Sequence, residues 1–156
     1  FLLGHPWGIP LFFALIFCAV LMNAQNVLNN SGDNILGEYY SKYKGEESKM
    51  SFTKNADGTY NCRTIWSKNS IDPATGKKKV DSKNPDKSRR NVPCDQILII
   101  EGLKYNADKK QWDGAKIYDP LRGIKANVNI MFTKEGRLSL RGSVMGIGET
   151  VYWDKL

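Results

Sequence analysis

The side chains best equipped for chemistry gather around residues 112–120 (WDGAKIYDP), an alternating stretch that ends at an Asp-Pro step. It reads as a β-strand: large apolar residues sit among polar ones, Gly114 allows close backbone approach, and Asp119 stands at the exit. Asp119 has two readings, as the holder of a cationic or polyhydroxyl ligand (or a base), and as the cap of its own turn. Trp66, Trp112, Tyr118 and Trp153 can stack on a planar or sugar ring, or can fill a core. Lys116 could receive an anion, whereas Arg141, which alternates with Leu138 and Leu140, reads as a surface residue. Asp81, Asn84 and Pro85 belong to a turn-rich corner (DSKNPD, 81–86), read chiefly as structural. Were the segment carrying that corner to fold over the strand's exit, Asp81 and Asp119 would meet as a carboxylate pair, the minimum for acid–base work on a glycosidic bond.

The residue types that are missing narrow the chemistry further. The one histidine is His5, close to the N-terminus. A chain processed after that point has no His-based triad and lacks the commonest zinc ligand. No phosphate loop, activated-serine elbow or CxxC occurs either. The expectation is a protein without a catalytic residue, metal or cofactor.

The elements that must position these residues are short strands. Residues 36–43 form a Tyr-rich strand, residues 48–54 place Met50 and Phe52 on one face, and a hairpin signal at 55–58 (NADG) leads into 59–68, with Tyr60, Cys62, Thr64 and Trp66 expected on one side. Residues 69–93 break the pattern with Lys, Arg, Asp, Ser and Pro, a long loop between the third and fourth strands. Alternation then resumes at 96–103, 111–118, 124–133, 137–143 and 149–155, joined by short Gly- or Asp-bearing turns. About eight strands in simple hairpin order point to an all-β, antiparallel up-and-down barrel, with a two-sheet sandwich as the rival.

The chain has 156 residues and a formal charge of +7, enough for one domain and favourable to acidic partners. Residues 9–22 (IPLFFALIFCAVLM) are an uncharged apolar run too short for a membrane span. They fit the apolar region of a secretory signal peptide spanning 1–24, with Ala24 at the cleavage point. Residues 25–35 read as a loose leader, and 36–156 as the single domain. Removal of the signal takes Cys18 with it and leaves Cys62 and Cys94, either a disulfide or two free thiols. The basic clusters at 76–79 and 87–90 lack interleaved aromatics, so nucleic acid is not expected as a partner.

In order, Leu36-Gly37 before an aromatic strand, Asp81-x-x-Asn84-Pro85, Gly114-x-Lys116-Ile117-Tyr118-Asp119-Pro120, Leu138-x-Leu140-Arg141-Gly142 and a closing Trp153 resemble the small exported bacterial family called domain of unknown function 2147. The resemblance runs from about Leu36 to the C-terminus. It implies a calycin-like barrel of the lipocalin and streptavidin type and a periplasmic or secreted location, and it brings no activity with it. The functional expectation is an exported barrel that binds a small apolar or amphipathic ligand near Trp66, Trp112, Lys116, Tyr118 and Asp119. The alternatives are a packed envelope protein that meets acidic partners through its basic loop, and a hydrolase built on Asp81 and Asp119.

Overall fold

The computed structural model describes residues 27–156. The export segment expected at 1–24, with His5 and Cys18, lies outside them. Eight strands follow one another: β1 (Gly37–Tyr43), β2 (Glu46–Lys54), β3 (Tyr60–Ser67), β4 (Leu98–Asn106), β5 (Gln111–Asp119), β6 (Ile124–Phe132), β7 (Leu138–Val144) and β8 (Ile147–Lys155). Each pairs antiparallel with its sequence neighbours, and β8 returns to β1, so the sheet closes into an up-and-down barrel. The sandwich is excluded. Every strand and every seam of this barrel lies within 37–155, which makes 27–156 a self-contained folding unit.

Turn chemistry fixes the order. Lys44-Gly45 (φ 49° and 82°) and Met145-Gly146 (φ 51° and 80°) are two-residue links whose left-handed backbone matches the twist of the strands they join. Alternate residues then turn inward: Tyr39, Phe52, Tyr60, Cys62, Leu103, Trp112, Ile130, Phe132, Leu138, Leu140 and Trp153 are all buried.

Two interruptions of the alternation decide where functional side chains point. Between Trp112 and Ala115 the β5–β6 register shifts, and Gly114 takes φ 73°, open to glycine at little cost. Before this bulge Trp112 faces Ile130 inside the barrel; after it Ala115 and Ile117 face inward, beside Val128 and Ala126, and Lys116 and Tyr118 turn outward. A second shift in β2–β3 places Trp66 opposite Lys49 on the outer surface.

Residues 27–35, part of the segment read as a loose leader, close one end of the barrel. Ile35 is fully buried, and Asn29 clamps the Phe132 backbone, accepting its N–H at 2.8 Å and donating to its carbonyl at 3.1 Å. Trp112 Nε1 donates to the Gly32 carbonyl at 3.0 Å, Tyr105 to the Asn29 carbonyl at 2.6 Å and Tyr39 to the Ile35 carbonyl at 2.9 Å. Such a plug has no hydrophobic period to read in a sequence, because single side chains hold it through main-chain groups.

Candidate functional site

Because strands alternate in direction, the β1–β2, β3–β4, β5–β6 and β7–β8 links share the end opposite the plug, here called the mouth. The interior differs between the two ends. Near the plug it is filled by Tyr39, Phe52, Tyr60, Trp112, Phe132 and Trp153, with ring pairs Tyr39–Phe52 at 5.6 Å and Trp112–Phe132 at 5.8 Å. Toward the mouth small or polar inward residues, Ser41, Ser48, Thr64, Ala115, Ala126 and Gly142, alternate with the larger apolar Met50, Ile100, Ile117, Val128 and Val151. A Cβ on Gly142 would lie 3.6 Å from both Ala126 Cβ and Ile117 Cγ2, so these three share one interior patch.

A chain of polar contacts crosses the mouth. Asp119, on the inward face of β5, accepts the Leu121 N–H at 2.9 Å and the Arg122 Nε–H at 2.7 Å. Arg122 reaches on to the Tyr43 hydroxyl at 3.5 Å, and Tyr43 donates to Glu149 at 2.9 Å. Since β1 and β8 stand opposite β5 in an eight-strand ring, these contacts link facing walls. The hydrogen bond to Asp119 raises the Arg122 pKa further, so this cation is permanent.

The middle of the long connection, residues 68–97, lies against the outer wall of β4 and β5, where Arg89 meets Glu101 and Asp81 meets Tyr118, while its two ends hydrogen-bond to β2 and β3. Its corner is held by Asn84, which donates to Asp81 at 2.7 Å and accepts the Asp86 N–H at 2.9 Å. Asp81 also accepts the Tyr118 hydroxyl at 2.7 Å, in a buried position. Burial, then the hydrogen bond to Asp81, pushes the Tyr118 phenol well above its usual value. Gly123 has φ 69°, and a Cβ there would collide with the Lys83 carbonyl; beside it Lys83 Nζ donates to the Leu121 carbonyl at 2.7 Å. Between loop and wall is a recess of about 300 Å³ lined by Asn84, Arg89, Ile99, Glu101, Lys116 and Lys125, among others.

The residues proposed from the sequence as one ligand site are therefore dispersed. Trp112 belongs to the plugged end, Trp66 is on the outer surface with Lys49 Nζ 5.7 Å from its ring, and Tyr118 and Lys116 face the outer wall. Of that set only Asp119 stands at the mouth. Asp81 and Asp119 are on opposite faces of the wall, each engaged by its own partners, so they form no carboxylate pair. Cys62 is buried in the core, Cys94 is half-buried in the long connection with Sγ 3.8 Å from the Ser70 carbonyl, and both are free, so the disulfide is absent. Burial pushes both thiols up, Cys62 strongly. Among the described residues no group of His, Cys, Asp and Glu could hold a metal ion. Tyr43, Ser41, Arg122, Ala126, Gly142 and Glu149 escaped the sequence reading. Strand alternation could have found Ser41, Ala126 and Gly142 as the small inward residues of otherwise bulky strands.

A closed eight-strand up-and-down barrel, plugged at one end, is a calycin-like fold. The family model described as an uncharacterized protein conserved in bacteria, domain of unknown function 2147, matches residues 37–155, and the chain belongs to that family. The chain is similar in structure to protein HP1028 of Helicobacter pylori, described as belonging to the lipocalin family, with a TM-score of 0.62 and 23% identity over 78% of this chain and 82% of that one. No curated protein matches the sequence.

Proposed function

We propose that the protein is a non-enzymatic binder of one small amphipathic molecule, which enters the mouth and occupies the half of the interior bounded by Ile117, Ala126, Gly142 and Val151. The observation that carries this reading is the uneven filling of the barrel: aromatic rings crowd the plugged end, whereas toward the mouth aliphatic Ile100, Ile117 and Val128 alternate with the small Ser41, Ala115, Ala126 and Gly142. Barrels of this strand number either fill themselves or hold one small ligand. The apolar patch would take the ligand's hydrocarbon part, and Arg122, with the Tyr43 hydroxyl, its polar or anionic end. The apolar run at residues 9–22 supports action outside the cytoplasm, and the lipocalin-like fold of the neighbour agrees with ligand binding.

The test is native mass spectrometry of the protein purified gently from an envelope fraction, repeated after unfolding, on the parent and on Ala126→Leu. A bound mass that is released on unfolding and missing from Ala126→Leu is the expected result. The same mass retained by a folded Ala126→Leu protein would move the ligand out of the mouth. A bare parent that also fails to take up a fluorescent fatty acid would end the reading.

A further inference from the structure

The mouth end carries an apolar surface that the barrel itself does not use. On the β7–β8 hairpin Met145 is 98% exposed, Ile147 83% and Val144 47%; on the β5–β6 hairpin Leu121 is 44% and Ile124 42% exposed. The two hairpins are neighbours, because β6 and β7 pair as far as Asn127↔Ser143. Elsewhere among the described residues no large apolar side chain exceeds 61%, and the two at that level, Val27 and Leu156, stand at the chain's described ends.

The turn residue itself breaks a local rule. Met145 holds φ 51°, a conformation that suits Gly or Asn and strains a long side chain. The matching β1–β2 turn holds Lys44 at φ 49°, under the same backbone strain, but with a side chain at home in water. A strained methionine in full contact with solvent, between Val144 and Ile147, gains nothing inside this fold. Violations of this kind mark functional positions.

Charge identifies the occupant. The net charge is +7, and no charged residue precedes Asp33, so all of it belongs to the barrel unit. Lys44, Lys125 and Arg141, on or beside the mouth hairpins, take part in none of the ion pairs among the described residues. Of the acids at the mouth, Asp119 is paired with Arg122 and Glu47 with Lys68, Glu149 accepts from Tyr43, and Glu46 accepts from the Asn69 amide. Two copies meeting mouth to mouth would bring like charges together, whereas an anionic lipid surface complements both features. Apolar tips enter the headgroup boundary and cations meet the lipid phosphates. We infer that the protein docks mouth-first on anionic membranes through Met145 and Ile147, with Leu121 and Ile124 beside them. This holds whether or not the barrel carries a ligand.

The experiment is co-sedimentation of residues 27–156 with vesicles of phosphatidylglycerol and phosphatidylcholine, against vesicles of phosphatidylcholine alone. Binding to the anionic vesicles is expected, weakened by salt and lowered at least about tenfold by Met145→Asp combined with Ile147→Asp. Met145→Asn, which suits the turn, should raise the melting temperature while lowering vesicle binding, a pairing that a purely structural methionine would not produce. No binding to the anionic vesicles would overturn the proposal, as would binding that the double variant leaves unchanged. A dimer that dissociates in the same double variant, without lipid affinity in the parent, would assign the surface to a second copy instead.

Discussion

Tyr118 donates a 2.7 Å hydrogen bond to Asp81, and this contact joins the outer wall of the barrel to the corner of its longest connection. Asp81 has one further side-chain donor, Asn84, at 2.7 Å. In Tyr118→Phe the buried carboxylate keeps Asn84 alone, which should cost about 1–3 kcal/mol. The loss should appear as faster amide exchange and proteolysis within 68–97, with the β-sheet circular dichroism unchanged. Protection in that segment equal to the parent's would show that the corner holds itself.

The same phenol sets an alkaline limit. Its folded-state pKa is raised above the ordinary value near 10, first by burial and then by Asp81, so the stability it contributes is complete below pH 10 and is lost as pH climbs through the folded value. Tyr60 is pushed up to about 12 by burial and by its hydrogen bond to Asp33, and adds in the same direction. Denaturant midpoints should therefore fall above pH 10, less steeply in Tyr118→Phe than in the parent. Equal slopes in both proteins would remove Tyr118 from this dependence.

The plug can be loosened without touching a strand. Asn29→Ala deletes both contacts to the Phe132 backbone and leaves that buried N–H and carbonyl without these partners, at about 2 kcal/mol. The emission of Trp112, which is bound to Gly32 in the same segment, should shift to the red at denaturant concentrations where the parent is still native. Coincident transitions in the two proteins would mean that the plug and barrel unfold as one.

Thiol chemistry separates the two cysteines. Unreduced residues 27–156 should show two thiols after unfolding. In the native state Cys94 should react slowly and Cys62 not at all, because burial raises both pKa values and seals Cys62 in the core. No reactive thiol after unfolding would mean that the two are bonded after all.

The barrel was legible in the sequence because its signals are local. Alternation in β2, β6 and β7 and turns such as Asn55 to Gly58 announce strands one at a time, and short links leave little freedom in their order. The site was not, because facing is cumulative. One bulge at Gly114 turns Tyr118 and Lys116 outward although Trp112, two and three turns of alternation earlier, faces the core, and another bulge turns Trp66 out. Bulged residues look like any other strand residues in a sequence. The plug was missed for a different reason: Asn29 and Gly32 act through main-chain contacts to partners more than seventy positions away.

One seam differs from the rest. β1 meets β8 only at Tyr39↔Lys155 and Tyr40↔Asp154, whereas β7 and β8 pair from Leu138↔Trp153 to Val144↔Ile147. The ring is thus fastened by the residues at either extreme of the domain, the costliest loop the chain must close and a late event in any order of assembly. Until the final strand is in place, the edges of β1 and β7 stay open to any extended chain nearby. Shortening the C-terminus by a few residues would therefore convert a sealed cylinder into a curled sheet with two sticky borders, prone to fibres and exchanged strands.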